Sequence, residues 1–315
     1  MRIVFMGTPD FAIPAFTAIH DSKHQIVAVV TTPDRLSGRG LKQHPSPVKV
    51  VALKLGYPVL QPESLRHPEF IDQLRDCFAD IIVVVAFKIL PPPLYNIPEL
   101  GAVNIHASLL PKYRGAAPIH RAILNGEKQT GVTTFQIAKQ VDTGGILLQQ
   151  PVPIGGNETC GELWDKLSRL GAEMIIPTLD GLGSGTLIPV PQDNLQATAA
   201  PKIDKSELEL NWNSSSVQIH NQIRAFSPQP GAWSLLQGKR IKIFNSCVFD
   251  DHAGRLNPGE ITPEKDRLIV GTVTGQISIG SIQLPGRQKM SVAEFHKGNN
   301  IEPGWQFHRE TDNLL

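Results

Sequence analysis

The chain has 315 residues, 41% of them hydrophobic and 19% charged, with a formal net charge of +1. That length predicts about two domains, and the composition is that of a soluble protein able to bury a substantial core. The near-neutral balance excludes a global basic field, so a nucleic-acid partner has to be held by local patches.

The opening stretch MRIVFMGTPDF reads as a strand from Arg2 to Met6, and Pro9 and Asp10 stand where a signal peptide would continue its apolar run, so no targeting segment is expected. Further strands are expected at Gln25 to Thr31, Ile81 to Ala86 and Ala102 to Ile105, whose Val and Ile content suits burial on both faces. Helical spacing falls at Ser46 to Leu55 and Glu69 to Cys77. The alternation predicts a parallel sheet wrapped by helices. Pro118 opens a helix that Gly126 stops, and strands follow at Gly131 to Ile137 and Ile146 to Pro151. Thr159 and Glu162 form a capping-box pattern ahead of Leu163, Trp164, Leu167 and Leu170. From about Pro191 to Lys205 the text loses periodicity and reads as a linker. Beyond it, Arg240 to Phe244, Leu268 to Gly271 and Gln276 to Leu284 alternate between turn signals such as Pro285-Gly286, which predicts a small β-barrel. The longest apolar run, Ile81 to Phe87, is far below the roughly 20 residues of a membrane-spanning helix, so no membrane partner is expected.

Within this frame Asn104 and His106 share one face of their strand, and Asp142 lies in VDTGG in the next connection. An amide that donates to an oxyanion, an imidazole that moves protons and a carboxylate that sets the imidazole tautomer suit acyl transfer to an amine without a Ser or Cys nucleophile. Read alone, the same residues also fit a satisfied turn beside a packed histidine. The ten histidines are scattered with no helical H-x-x-x-H, and Cys77, Cys160 and Cys247 form no C-x-x-C, so no metal site is expected and a reducing cytosol is the natural setting.

The run NIHASLLPKYRGAAPIHRAILNGEKQTGVTTFQIAKQVDTGGIL, together with MRIVFMGTPDFA, PDRLSGRG, HPSPVK, APKI, RAFSPQPGAW and QLPGRQKMSVAEF in the same order, resembles the methionyl-tRNA formyltransferase family. The resemblance implies a Rossmann-like parallel-sheet catalytic domain at 1–190, a linker at 191–205 and a smaller oligonucleotide-binding-type β-barrel at 206–315. It implies formyl transfer from 10-formyltetrahydrofolate to the α-amino group of methionine on initiator tRNA, with Asn104, His106 and Asp142 as the catalytic trio and no metal. Folate is placed on Ser108, Leu109, Leu110 and Pro111, with walls from Phe87, Ile89 and Leu90. This chain departs from the family there: Ala86-Phe87-Lys88-Ile89-Leu90-Pro91 has Phe for the usual Tyr and lacks a glycine. The tRNA is assigned to Arg35, Arg39 and Lys42 in the basic Pro33 to Lys49 loop and to Lys112 and Arg114 past the catalytic strand. The C-terminal segment from Ser206 has eleven Lys/Arg against eleven Asp/Glu, so its RNA contacts would come from clusters such as Lys239, Arg240 and Lys242. A monomer is expected.

Several rivals are separable, among them a non-catalytic RNA-binding protein, against which the intact Asn104, His106 and Asp142 count. Formylation of an amino-sugar nucleotide by the same trio is disfavoured by the Arg39 loop and RAFSPQPGAW. A glycinamide ribonucleotide enzyme would need a phosphate cradle that Pro9, lacking an amide hydrogen, cannot complete. A dinucleotide oxidoreductase lacks its G-x-G-x-x-G.

Overall fold

A computed structural model describes residues 1–37, 42–250, 256–302 and 304–310. The chain forms two compact units: Met1–Pro118, Gln129–Pro153 and Trp164–Pro201 make the first, and Ile119–Lys128, Ile154–Leu163 and Lys202–Leu315 the second.

The strands of the first unit are β1 (Arg2–Gly7), β2 (Gln25–Val30), β3 (Arg35–Ser37), β4 (Lys42–His44), β5 (Val59–Leu60), β6 (Ile81–Val85), β7 (Ala102–His106), β8 (Arg114–Gly115), β9 (Gln129–Gln136), β10 (Ile146–Pro153) and β11 (Ala199–Ala200). Helices α1 (Ile13–His20), α2 (Pro47–Lys54), α3 (Pro68–Asp76), α4 (Pro92–Tyr95), α5 (Pro118–Leu124) and α6 (Cys160–Gly183) are interspersed along this stretch of chain. The main sheet runs β10-β9-β7-β6-β1-β2-β5. Its five strands from β7 to β5 are parallel, as the unbroken Val and Ile runs predict, whereas β9 and β10 add antiparallel to β7. Every residue of β6 is buried, as are Ile3, Val4, Phe5 and Met6 of β1, which explains the missing polar alternation in both. From β1 the chain builds outward to β2 and β5, then returns to place β6 and β7 on the other flank. The reversal puts a crevice at the carboxyl ends of β1 and β6. Helix α1, unmarked by any capping signal, starts with Pro14 in its first turn. Residues 191–201, which read as linker, belong to the first unit, where β11 pairs with β8 in parallel.

In the second unit, α7 (Ser216–Ala225) precedes β12 (Ala232–Leu236), β13 (Lys239–Asp250), β14 (Ile261–Pro263), β15 (Leu268–Gly271), β16 (Gln276–Gln283), β17 (Met290–Ser291), α8 (Val292–Phe295) and β18 (Phe307–His308). The antiparallel order is β14-β15-β16-β13-β12-β18, with β17 on β16. The outer strands meet, since Phe307 N–H donates to Gly259 O at 2.8 Å and Ile261 N–H to Trp305 O at 3.1 Å, so the sheet curls into a barrel. Trp212 stacks on Phe307 at 5.2 Å within a core that includes Phe226, Ile243 and Ile279. Helix α7 begins at a complete capping box, Ser215 with Gln218.

Candidate active site

Strands β6 and β7 run parallel with Val84 beside Asn104 and Val85 beside Ile105. The loops that leave them are therefore neighbours at the carboxyl edge of the sheet. On the other flank of β7, His106 stands opposite Thr133 and Asn104 opposite Phe135 of β9. The pleat turns Asn104 and His106 to one side, and the loop between β9 and β10 brings Asp142 to them.

His106 is buried, and its Nε2 lies 2.8 Å from Tyr113 O. A carbonyl only accepts, so Nε2 carries the proton and Nδ1 is the nitrogen turned toward Asp142, at 3.7 Å from Oδ2. The tautomer is thus set by the Tyr113 carbonyl, where the sequence suggested the carboxylate. Asp142 sits at φ 54°, a left-handed conformation that Asp tolerates, and its Oδ2 accepts Gly115 N–H at 2.8 Å. Asn104 Oδ1 is buried without a hydrogen-bond partner. Leaving such an acceptor unmade costs about 1–3 kcal/mol, which marks it as a group waiting for a donor.

Among the described residues no group of three His, Cys, Asp or Glu is placed to hold a metal ion, and no helix is long and apolar enough to cross a membrane.

Residues 1–179 match the formyl transferase family and residues 202–300 the formyl transferase C-terminal domain. Over 306 residues the chain is 46% identical to the methionyl-tRNA formyltransferase of Geobacter metallireducens, covering 96% of this chain and 97% of that protein. Over 310 residues it is 43% identical to the one from Porphyromonas gingivalis, covering 95% of each. This chain belongs to the methionyl-tRNA formyltransferase family. Two solved structures share the fold. One is WlaRD, a sugar 3N-formyl transferase crystallised with dTDP and 5-N-formyl-THF, with a TM-score of 0.69, 21% identity and coverage of 91% of this chain and 99% of that one. The other is HypX from Aquifex aeolicus in complex with tetrahydrofolic acid, with a TM-score of 0.66 and 19% identity; it covers 98% of this chain, which spans only 51% of HypX.

The family's motif residues occupy distinct places. Ser108, Leu109, Leu110 and Pro111 follow β7 one residue after His106 in a turn held by its own bonds and by side chains of β9 and β10. Ser108 Oγ donates to Lys112 O at 2.6 Å, Thr133 Oγ1 to Ser108 O at 2.7 Å and Gln149 Nε2 to Leu110 O at 2.7 Å. Leu110 is buried, whereas Leu109 and Pro111 are partly open. On the neighbouring loop Ile89 is 73% exposed, Phe87 is half-buried and Leu90 belongs to the core around α3 and α4. The turn there falls on Ala86, which takes a left-handed φ of 48°. At the reversal of the sheet a cavity of about 480 Å³ is lined by Thr8, Pro9, Thr32, Pro33, His44, Ser46, Ala86, Phe87 and Lys88.

Arg35 and Lys42 lie on the β3–β4 hairpin, which pairs Ser37 with Lys42, and Arg39 lies outside the described residues. Lys112 is exposed. Arg114 is engaged within the first unit: Nη2 donates to Gln192 Oε1 at 2.7 Å and to Asn194 Oδ1 at 2.8 Å. Sequence reasoning missed Thr133, Gln149 and Gln192, all of which brace the site. Thr133 did leave a trace, as a polar residue inside a strand with an otherwise apolar face.

Proposed function

We propose that Asn104, His106 and Asp142 carry the transfer of a formyl group from 10-formyltetrahydrofolate to the α-amino group of methionine on initiator tRNA, the reaction for which this chain's relatives are named. The observation that carries the assignment is the buried, unpartnered Asn104 Oδ1 on the same strand face as His106. An amine is the donor that this acceptor lacks, and the amide's own N–H₂ is left to meet the formyl oxygen.

The co-substrate supplies the formyl group at its N10. Leu109, Pro111, Phe87 and Ile89 offer the partly open apolar surface on which a flat ring system is held. As the amine bonds to the formyl carbon, negative charge grows on the formyl oxygen. A hydrogen bond aimed at that charge contributes about 3 kcal/mol per donor in comparable sites. Because Nε2 is committed to Tyr113 O, His106 reaches the developing charge only through its Nδ1 edge, which faces Asp142 Oδ2 at 3.7 Å. Asp142 takes the proton the amine sheds, directly or through a water, and N10 gains a proton as its bond to the formyl carbon breaks.

The tRNA is assigned to the basic Pro33 to Lys49 segment that includes Arg39 and to the barrel, where Arg240 stacks on Trp233 at 3.8 Å and Lys289 lies 5.2 Å from the Phe244 ring. The test is formylation of methionine-charged initiator and elongator tRNA with 10-formyltetrahydrofolate, for wild type and Asp142→Asn. Heavy loss of turnover with folate binding retained supports the assignment. Activity on a sugar amine in place of either tRNA, or near-wild-type turnover of the Asn variant, overturns it.

A further inference from the structure

The segment from Gln192 to Ala200 reaches both catalytic side chains without touching either. Gln192 Nε2 donates to Asp142 O at 2.9 Å and to Gly144 O at 2.8 Å, so one amide spans the loop that presents the carboxylate. Its Oε1 is gripped by Arg114 through Nε at 3.1 Å and Nη2 at 2.7 Å. Farther along, Thr198 takes Arg114 N–H on its carbonyl at 2.9 Å and Tyr113 N–H on Oγ1 at 2.9 Å, and Ala200 O takes Ala117 N–H at 3.1 Å. The turn so held, Tyr113 to Gly115, is the one whose carbonyl accepts from His106 Nε2 and whose Gly115 N–H donates to Asp142 Oδ2. Gly115 has φ 124°, and a Cβ there would stand 2.7 Å from Ala200 O, so the close pairing of β8 with β11 requires glycine.

From this geometry we propose that Gln192, locked by Arg114, is a positioning residue that sets Asp142 against Nδ1 of His106, and that the 192–200 strap is part of the catalytic apparatus. The proposal rests on the assigned role of Asp142. Arg114 then acts inside the protein, because a forked guanidinium bonded to two side-chain carbonyl oxygens fixes an amide in one rotamer, which a lysine ammonium cannot reproduce. With Gln192 fixed, its two donors hold a backbone that sits in a left-handed conformation at Asp142.

Gln192→Glu is the discriminating variant, because it keeps the volume and an acceptor for Arg114 while removing both N–H donors. A displacement near 1 Å at a catalytic group lowers rate by about 100-fold, so Gln192→Glu and Gln192→Leu are each expected to lose kcat on that order. KM for both substrates should stay within about twofold, and the pH profile of kcat should shift, because Asp142 no longer faces the imidazole at a fixed distance. Arg114→Lys should fall in the same direction, with no change in the salt dependence of tRNA binding. Asp142→Asn is measured alongside. If it is inactive while both Gln192 variants retain wild-type kcat and pH profile, the strap proposal falls and the trio stands; if it is active, the reading of the trio falls first. An Arg114→Lys variant that raises KM for tRNA with a flatter salt slope would place Arg114 on a phosphate and overturn its positioning role.

Discussion

Gly144→Ala is the sharpest probe of the loop that carries Asp142. A Cβ built on Gly144 would stand 1.6 Å from Gln136 O, whereas real Cβ atoms stay at least 3.0 Å from such neighbours, so one side must yield by the 1.4 Å between the two values. Gln136 belongs to β9, inside the seven-stranded sheet, and its N–H is bonded to Gly145 O at 2.9 Å. The strand is the stiffer partner, and the loop carrying Asp142 is the part that moves. A shift above 1 Å in a group that must meet Nδ1 of His106 is expected to reduce kcat by about 100-fold, or about 2.7 kcal/mol of barrier. The loop is partly open to solvent and its displacement creates no core cavity, so the melting temperature should fall by only a few degrees, on the order of 1 kcal/mol. The assay is steady-state formylation of methionyl-tRNA, with folate affinity followed by fluorescence and the fold by circular dichroism. A folded variant whose kcat stays within about threefold of wild type would refute the claim that this loop is held to ångström accuracy.

Two further outcomes are expected. His220 on α7 is buried, with Nδ1 3.0 Å from Ser246 Oγ and Nε2 3.0 Å from Gly156 O, and burial holds its pKa below the ordinary value. The unfolded chain therefore takes up this proton first, so stability should fall as pH drops below about 6.5 and continue to fall until the folded value is passed. His24 and His120, also lowered chiefly by burial, act in the same direction. His220→Gln should flatten the decline of melting temperature between about pH 7 and pH 5, and an unchanged slope would remove His220 from the effect. Separately, Arg39→Ala should weaken tRNA binding and reduce the slope of log affinity against log salt by about one, with folate affinity unchanged; an unaltered slope would return the loop to an ordinary solvated one.

What the sequence disclosed follows how local the cause was. Strands β1, β2, β6 and β7 were legible because Val and Ile runs buried on both faces need no long-range information. The start of α6 was legible because Thr159 Oγ1 and Glu162 Oε2 exchange bonds with each other's backbone within one turn. The same signature, Ser215 with Gln218, stands at the start of α7, but the β-like segments that follow it hide the helix. The strap was illegible for a different reason: Thr198 finds Tyr113 across 85 positions, and nothing in a stretch of Gln, Asn, Thr and Ala announces such a partner. That Asn104 and His106 share a strand face could be read from their N-x-H spacing. The fact that a backbone carbonyl, and not the carboxylate, fixes the imidazole depends on a turn that folds back seven residues later.

That carbonyl leaves His106 a single open edge, Nδ1. A histidine with both nitrogens free can take a proton at one edge and release it at the other, acting as a conductor between a site and its surroundings. Here one edge is permanently spoken for, so whatever enters at Nδ1 has to leave by the same door. Under the proposed assignment, any proton exchanged between this site and bulk water would have to pass on the Asp142 side of the ring.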